Sequence, residues 1–100
     1  MATRLFILTT GEYVISNITD EDLSSFQKYE LDLNLINPKL VITTNTQKNS
    51  DDQNQLQTNV VLLTWPQFTL DTKIIVNPET IVSEVTPIKE LENLYLESLQ

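Results

Sequence analysis

The chain contains no cysteine and no histidine. Without cysteine there is no disulfide framework and no thiolate to serve as nucleophile or metal ligand. Without histidine it lacks the side chain that titrates near neutral pH and the commonest metal ligand. Basic residues are scarce: Arg4, Lys28, Lys39, Lys48, Lys73 and Lys89, no two adjacent, against 14 acidic residues, for a net charge of −8. Proteins that grip a nucleic-acid backbone displace counterions with clustered Lys and Arg, and no short window here forms such a cluster. No apolar run approaches the ~20 residues of a membrane-spanning helix. The apolar start, Leu5–Leu8, runs at once into Thr9, Thr10 and Glu12, too short for a secretory leader. The expectation is a protein of the cytoplasm with no membrane association, no cofactor and no metal.

Glycine occurs once, at Gly11. It lies between two apolar runs, Leu5-Phe6-Ile7-Leu8 and Tyr13-Val14-Ile15, so Leu5–Ile18 reads as two antiparallel strands joined by a tight turn. Turn positions often require positive φ, which glycine adopts without a Cβ clash. The first strand is predicted over Arg4–Thr9 and the second over Glu12–Thr19. In the second, Val14, Ser16 and Ile18 share one face and Tyr13, Ile15 and Asn17 the other. Apolar residues on both faces suit a small barrel better than an open, half-wet sheet.

Asp20–Ser25 is predicted as an acidic loop. It lacks the alternating oxygen ligands, glycine and distant glutamate of a calcium loop. Phe26–Ile36 alternates, with Tyr29, Leu31, Leu33 and Leu35 on one face, and predicts a half-buried strand. Pro38 cannot donate to a ladder, so a bend or bulge is expected before Leu40–Ile42 resumes. Asn45–Gln57, almost wholly polar, is expected to be a mobile loop or the tip of an extended hairpin. Val60–Leu63 reads as a central strand, ended or turned by Pro66. Trp65 and Phe68 read either as a stacking pair for a ligand or as core or interface anchors. Lys73–Val76 and Thr80–Val85 predict two more strands around Asn77-Pro78-Glu79. Thr86-Pro87 then reads as an N-cap and first helical residue, with Ile88, Leu91, Leu94, Tyr95 and Leu99 as an apolar stripe. The resulting division is a β-barrel over residues 1–86 and a C-terminal helix over 87–100, packed on the barrel or on a neighbouring subunit.

This order resembles the Sm-like fold, a small, strongly bent five-stranded (SH3-like) barrel. Gly11, Val14, Ser16 and Ile18 follow the spacing of the first Sm motif, and Ile74–Pro87 resembles the second. A closer resemblance is to Sm-like proteins of tailed phages that infect marine cyanobacteria. It rests on Thr10–Ile15, Tyr29-Glu30-Leu31 with Asn37-Pro38, Trp65–Phe68, Ile81-Val82 with Pro87, and Glu90-Leu91 with Tyr95. The resemblance implies a mainly β fold, a phage origin, and hence the cytoplasm of a host cell. It also implies a closed homomeric ring of roughly five to seven subunits. The family carries a basic residue at the tight turn of the second motif, where it helps hold uridine. This chain has Glu79 after Asn77-Pro78, so the fold and the ring carry over and the uridine pocket does not.

An independent physical argument also favours self-assembly. A bent barrel of this size keeps open edges, at Thr58–Leu63 and Thr80–Val85, and open apolar edges pair with other chains. The alternative is that the C-terminal helix or the Asn45–Gln57 loop covers an edge and leaves a monomer. The expected interface is Val60, Val61, Leu62, Leu63, Trp65, Ile81, Val82 and Val85. The first functional reading is therefore a non-catalytic ring-forming scaffold or interaction module. The alternative is an RNA-binding ring with a non-standard site, in which Asp22, Phe26, Tyr29 and Asn77 would contact the ligand. An enzyme would have to rely on paired carboxylates, a lysine or a bound metal, and Asp20, Asp22, Asp51 and Asp52 sit in expected loops with no supporting spacing.

Overall fold

A computed structural model describes residues 1–47 and 56–100, with side-chain environments over 1–44 and 59–100. The fold is mainly β, and the described residues form six strands, all paired antiparallel in one sheet, and two helices. Strands β1 (Ala2–Leu8) and β2 (Tyr13–Ile18) form the predicted hairpin. Gly11 sits in its turn at φ +89° and donates its N–H to the Leu8 carbonyl. Helix α1 (Asp20–Tyr29) follows, then β3 (Leu33–Gln47), β4 (Leu56–Thr64) and β5 (Lys73–Val76). A 3-10 turn at Pro78–Thr80 leads to β6 (Ile81–Val85), and helix α2 (Lys89–Ser98) ends the chain. The sheet order is β4-β3-β2-β1-β6, with β5 also paired to β3. Six strands thus stand where the resemblance implied five, because the stretch opposite β3 is split in two. β5 pairs with its first part, Leu33–Ile36, and β4 with Lys39–Gln47.

The split falls where Pro38 predicts a bend. Between Ile15 and Asn17 the β2–β3 register slips, so that β3 carries one extra residue there. Asn37 takes a left-handed φ of +53° and turns its N–H to the Thr72 carbonyl instead of to the ladder. The core lies on one side of this curved sheet. Phe6, Val14, Ile18, Leu33 and Leu35 are completely buried, with Leu8 and Val76 nearly so. Leu23, Phe26, Leu40, Trp65, Ile74 and Ile81 pack around them. Ile15, on the opposite face of β2 from Val14, is also fully buried. The expectation that both faces of β2 are covered is met at that point.

Three local readings of the sequence are corrected. Asp20–Ser25 is the first part of α1, not a loop. The Thr19 side chain accepts the Asp22 N–H at 3.2 Å, and Asp20, Glu21 and Asp22 occupy the first turn, where negative charge meets the positive end of the helix dipole. Phe26–Tyr29 completes that helix, so the predicted strand starts at Leu33. Tyr29 and Leu31, assigned to its buried face, are 70% and 53% exposed, whereas Leu33 and Leu35 are buried as expected. Glu30, at φ +53°, ends α1 by donating its N–H to the Phe26 carbonyl. Helix α2 starts later than expected: its N-cap is Ile88, without a side-chain cap, and Thr86 instead accepts a hydrogen bond from Arg4 Nη1 at 2.7 Å. Asn45–Gln47 and Leu56–Gln57 continue β3 and β4, and the rest of the expected mobile loop lies outside the described residues.

Helix α2 packs chiefly through Tyr95, with Leu91 and Leu99 partly buried beside it. Tyr95 is its sole buried side chain. The Tyr95 hydroxyl accepts the Asn17 N–H at 2.9 Å and lies 3.0 and 2.9 Å from the Ile36 and Asn37 carbonyls, to which it donates. Its single proton is shared between the two carbonyls, and the buried Ser16 hydroxyl also donates to the Ile36 carbonyl at 3.0 Å, so the two side chains together satisfy backbone groups at the β2–β3 bulge. Burial pushes the Tyr95 pKa above that of an exposed tyrosine, against the opposing pull of the Asn17 N–H.

Candidate functional site

The sheet path has two ends, β4 and β6. β6 pairs with β1 alone, and β4 and β5 pair with β3 alone, so among the described residues no further strand pairs with their outer edges. An unpaired edge presents a row of free N–H and C=O groups, and soluble proteins usually guard such edges with charges or proline. β4 is not guarded: no charged residue occurs between Asp52 and Asp71. Val60, Val61 and Leu63 on β4 are each more than a third exposed, and Val82 on β6 is 66% exposed. Leu62 and Val85 are partly buried. Trp65 and Ile81 pack against the core, so much of their apolar area already serves the fold. Of the eight residues expected at an interface, the β4 valines and Val82 are therefore the most available. The C-terminal helix is anchored through Tyr95 at Asn17, Ile36 and Asn37, on β2 and β3 rather than at an end of the sheet.

Beyond β4 the chain turns through Trp65–Thr72. Phe68 and Leu70 in this segment are completely exposed, and Phe68 adopts a left-handed φ of +69°. Ile75 on β5 is 71% exposed. It lines a mainly apolar groove of about 340 Å³ together with Leu8, Thr10, Glu12, Trp65, Ile74 and Thr80. Neither feature is evident in the sequence beyond the pairing of Trp65 with Phe68. The structure separates those two, placing Trp65 inward and Phe68 outward. Continuous absence of charge from Leu56 to Leu70 is the signal that marks the region.

The candidate ligand contacts are brought together only in part. Phe26 and Asn77 both line a groove of about 650 Å³ between α1, the 3-10 turn and β6. Tyr29 is not in its lining, and Asp22 is engaged elsewhere, accepting a hydrogen bond from Asn34 at 3.3 Å. The Asn77 side chain accepts the Glu79 N–H at 2.9 Å and thereby caps the 3-10 turn. The remaining lining includes Glu30, Asp32, Glu79 and Glu84. Glu84 is ion-paired with Arg4 and accepts from Gln27, which leaves three carboxylates facing the groove without a described ion pair. Four carboxylates around Phe26 and Asn77 repel phosphate at close range. No cluster of three or more potential metal ligands occurs among the described residues. No helix there is long and apolar enough to cross a membrane. Comparison with models of known protein families and with curated proteins finds no match to this chain.

Proposed function

We propose that this protein is a non-catalytic assembly module of the Sm-like type, whose copies join edge to edge into a closed ring. The observation that carries the reading is that one sheet ends in two different edges, β4 and β6, with which no further described strand pairs, both with exposed apolar side chains. Pairing unlike edges is a heterologous contact. Repeated around a rotation axis, it closes into a ring rather than a two-fold dimer. The strand order supports the same reading. Apart from the insertion of α1 and the additional strand β5, a hairpin, a bent strand, a long strand, a short strand and a helix follow in the order on which the resemblance to Sm-like proteins rests. As a scaffold, such a ring needs no reactive group, in keeping with a chain that has neither histidine nor cysteine.

Multi-angle light scattering tests this directly. The wild-type protein is expected to have a mass several times that of one chain. Val82→Lys, which places a charge on the β6 edge, is expected to reduce it to the monomer mass. A wild-type protein that is monomeric at all accessible concentrations would end the proposal.

A further inference from the structure

We infer that Phe68 is the anchor by which each copy holds the next, its ring seated in the neighbour's groove around Ile75. The inference rests on the edge-to-edge reading above and names a contact within it. In a single chain Phe68 has no rationale: it is fully exposed and held at a φ of +69°, where a side chain with a Cβ is strained. Strained backbone with an exposed aromatic side chain is a feature to expect of a contact completed by another molecule. The groove has the size and chemistry to complete it. A closed apolar cavity of about 150 Å³ accepts a benzene ring, and this open groove of about 340 Å³ offers Leu8, Trp65, Ile74 and Ile75 to an aromatic ring, with Glu12 and Asn77 also in its lining.

Two further observations identify the occupant as a second copy. The first is charge. Copies of a −8 chain repel one another, and the uncharged stretch from Leu56 to Leu70 is where they can approach without added repulsion. The second is direction. If the β4 edge pairs antiparallel with a neighbour's β6, the end of β4 at Thr64 meets the start of β6 at Ile81. Thr80, adjoining that start, lines the groove, and Phe68 lies four residues beyond Thr64. Edge pairing and the aromatic seat thus bring the same ends of the two copies together.

The test uses Phe68→Gly and Ile75→Trp. Glycine tolerates φ +69°, so Phe68→Gly is expected to keep or raise the melting temperature while weakening assembly by about 30-fold or more in dissociation constant. Ile75→Trp is expected to fill the groove and weaken assembly similarly. Each variant retains the half that the other lacks, so mixing them is expected to give a 1:1 heterodimer by light scattering. An assembly that survives Phe68→Gly would overturn this inference and leave edge pairing standing. Dissociation of Phe68→Gly without an effect of Ile75→Trp, or without heterodimers on mixing, would overturn the groove as the seat. A monomeric wild-type protein would overturn both readings, as would be the case if a different protein occupied the groove.

Discussion

Tyr95 concentrates in one hydroxyl what most helices distribute over several contacts. It accepts from Asn17 and donates toward Ile36 and Asn37, closing the gap that the bulge opens in the β2–β3 ladder. Tyr95→Phe keeps the ring and removes the hydroxyl, so the Asn17 N–H is left buried without a partner. A loss of about 1–3 kcal/mol is expected in urea unfolding. The pH dependence has a definite sign. Because burial raises the folded-state pKa above the unfolded value, the contribution of Tyr95 is fully present below the unfolded pKa of about 10 and is lost as pH rises through the folded value. Wild-type stability is therefore expected to fall more steeply above pH ~10 than that of Tyr95→Phe. Parallel urea titrations at neutral and alkaline pH would check this.

Among the elements, α1 shows where local sequence misleads and why. Three consecutive acids after Thr19 have the composition of a solvated turn. The same acids fill a helix's first turn once Thr19 supplies the cap. The signal was present in the spacing of Thr19 to Asp22 and in Leu23 and Phe26, three apart and both packed on the core. It was hidden by the alternation of residues 29–35, of which only Leu33 and Leu35 belong to a strand. Thr19→Ala is expected to cost about 1 kcal/mol, measurable by thermal melts with circular dichroism at 222 nm. By contrast, the β1–β2 hairpin was fully legible, because Gly11 and the flanking apolar runs both specify it locally. The bend at Pro38 was equally clear. The division of labour opposite β3 was not, since pairing between residues far apart in sequence leaves no short-range trace. The candidate site was legible at the level of strands. β4 and β6 were recognisable as edges, but which apolar side chains face outward depends on tertiary packing, as the opposite fates of Trp65 and Phe68 demonstrate.

At the scale of the whole molecule, net charge and uncharged edge act against each other. Repulsion between −8 copies is long-ranged and screened by salt, whereas apolar edge contact is short-ranged and largely indifferent to it. Self-association is therefore expected to strengthen several-fold between about 20 mM and about 500 mM sodium chloride, measured by sedimentation velocity. Weakening over that range would mean that ion pairs, not apolar edges, hold the copies together. Binding to RNA phosphates would also weaken with salt, so the direction of the response separates the two functions.

The pairing of β1 with β6 has a consequence for synthesis. Leu5 finds Val85 across the sheet, and Arg4 finds Glu84, 80 residues further along, so β1 leaves the ribosome well before the strand that completes it. At about 5–20 residues per second, the nascent hairpin must wait several seconds with one flank bare. Chains stalled before Ile81 would then be the aggregation-prone species, and chains extended past Val85 the safe species.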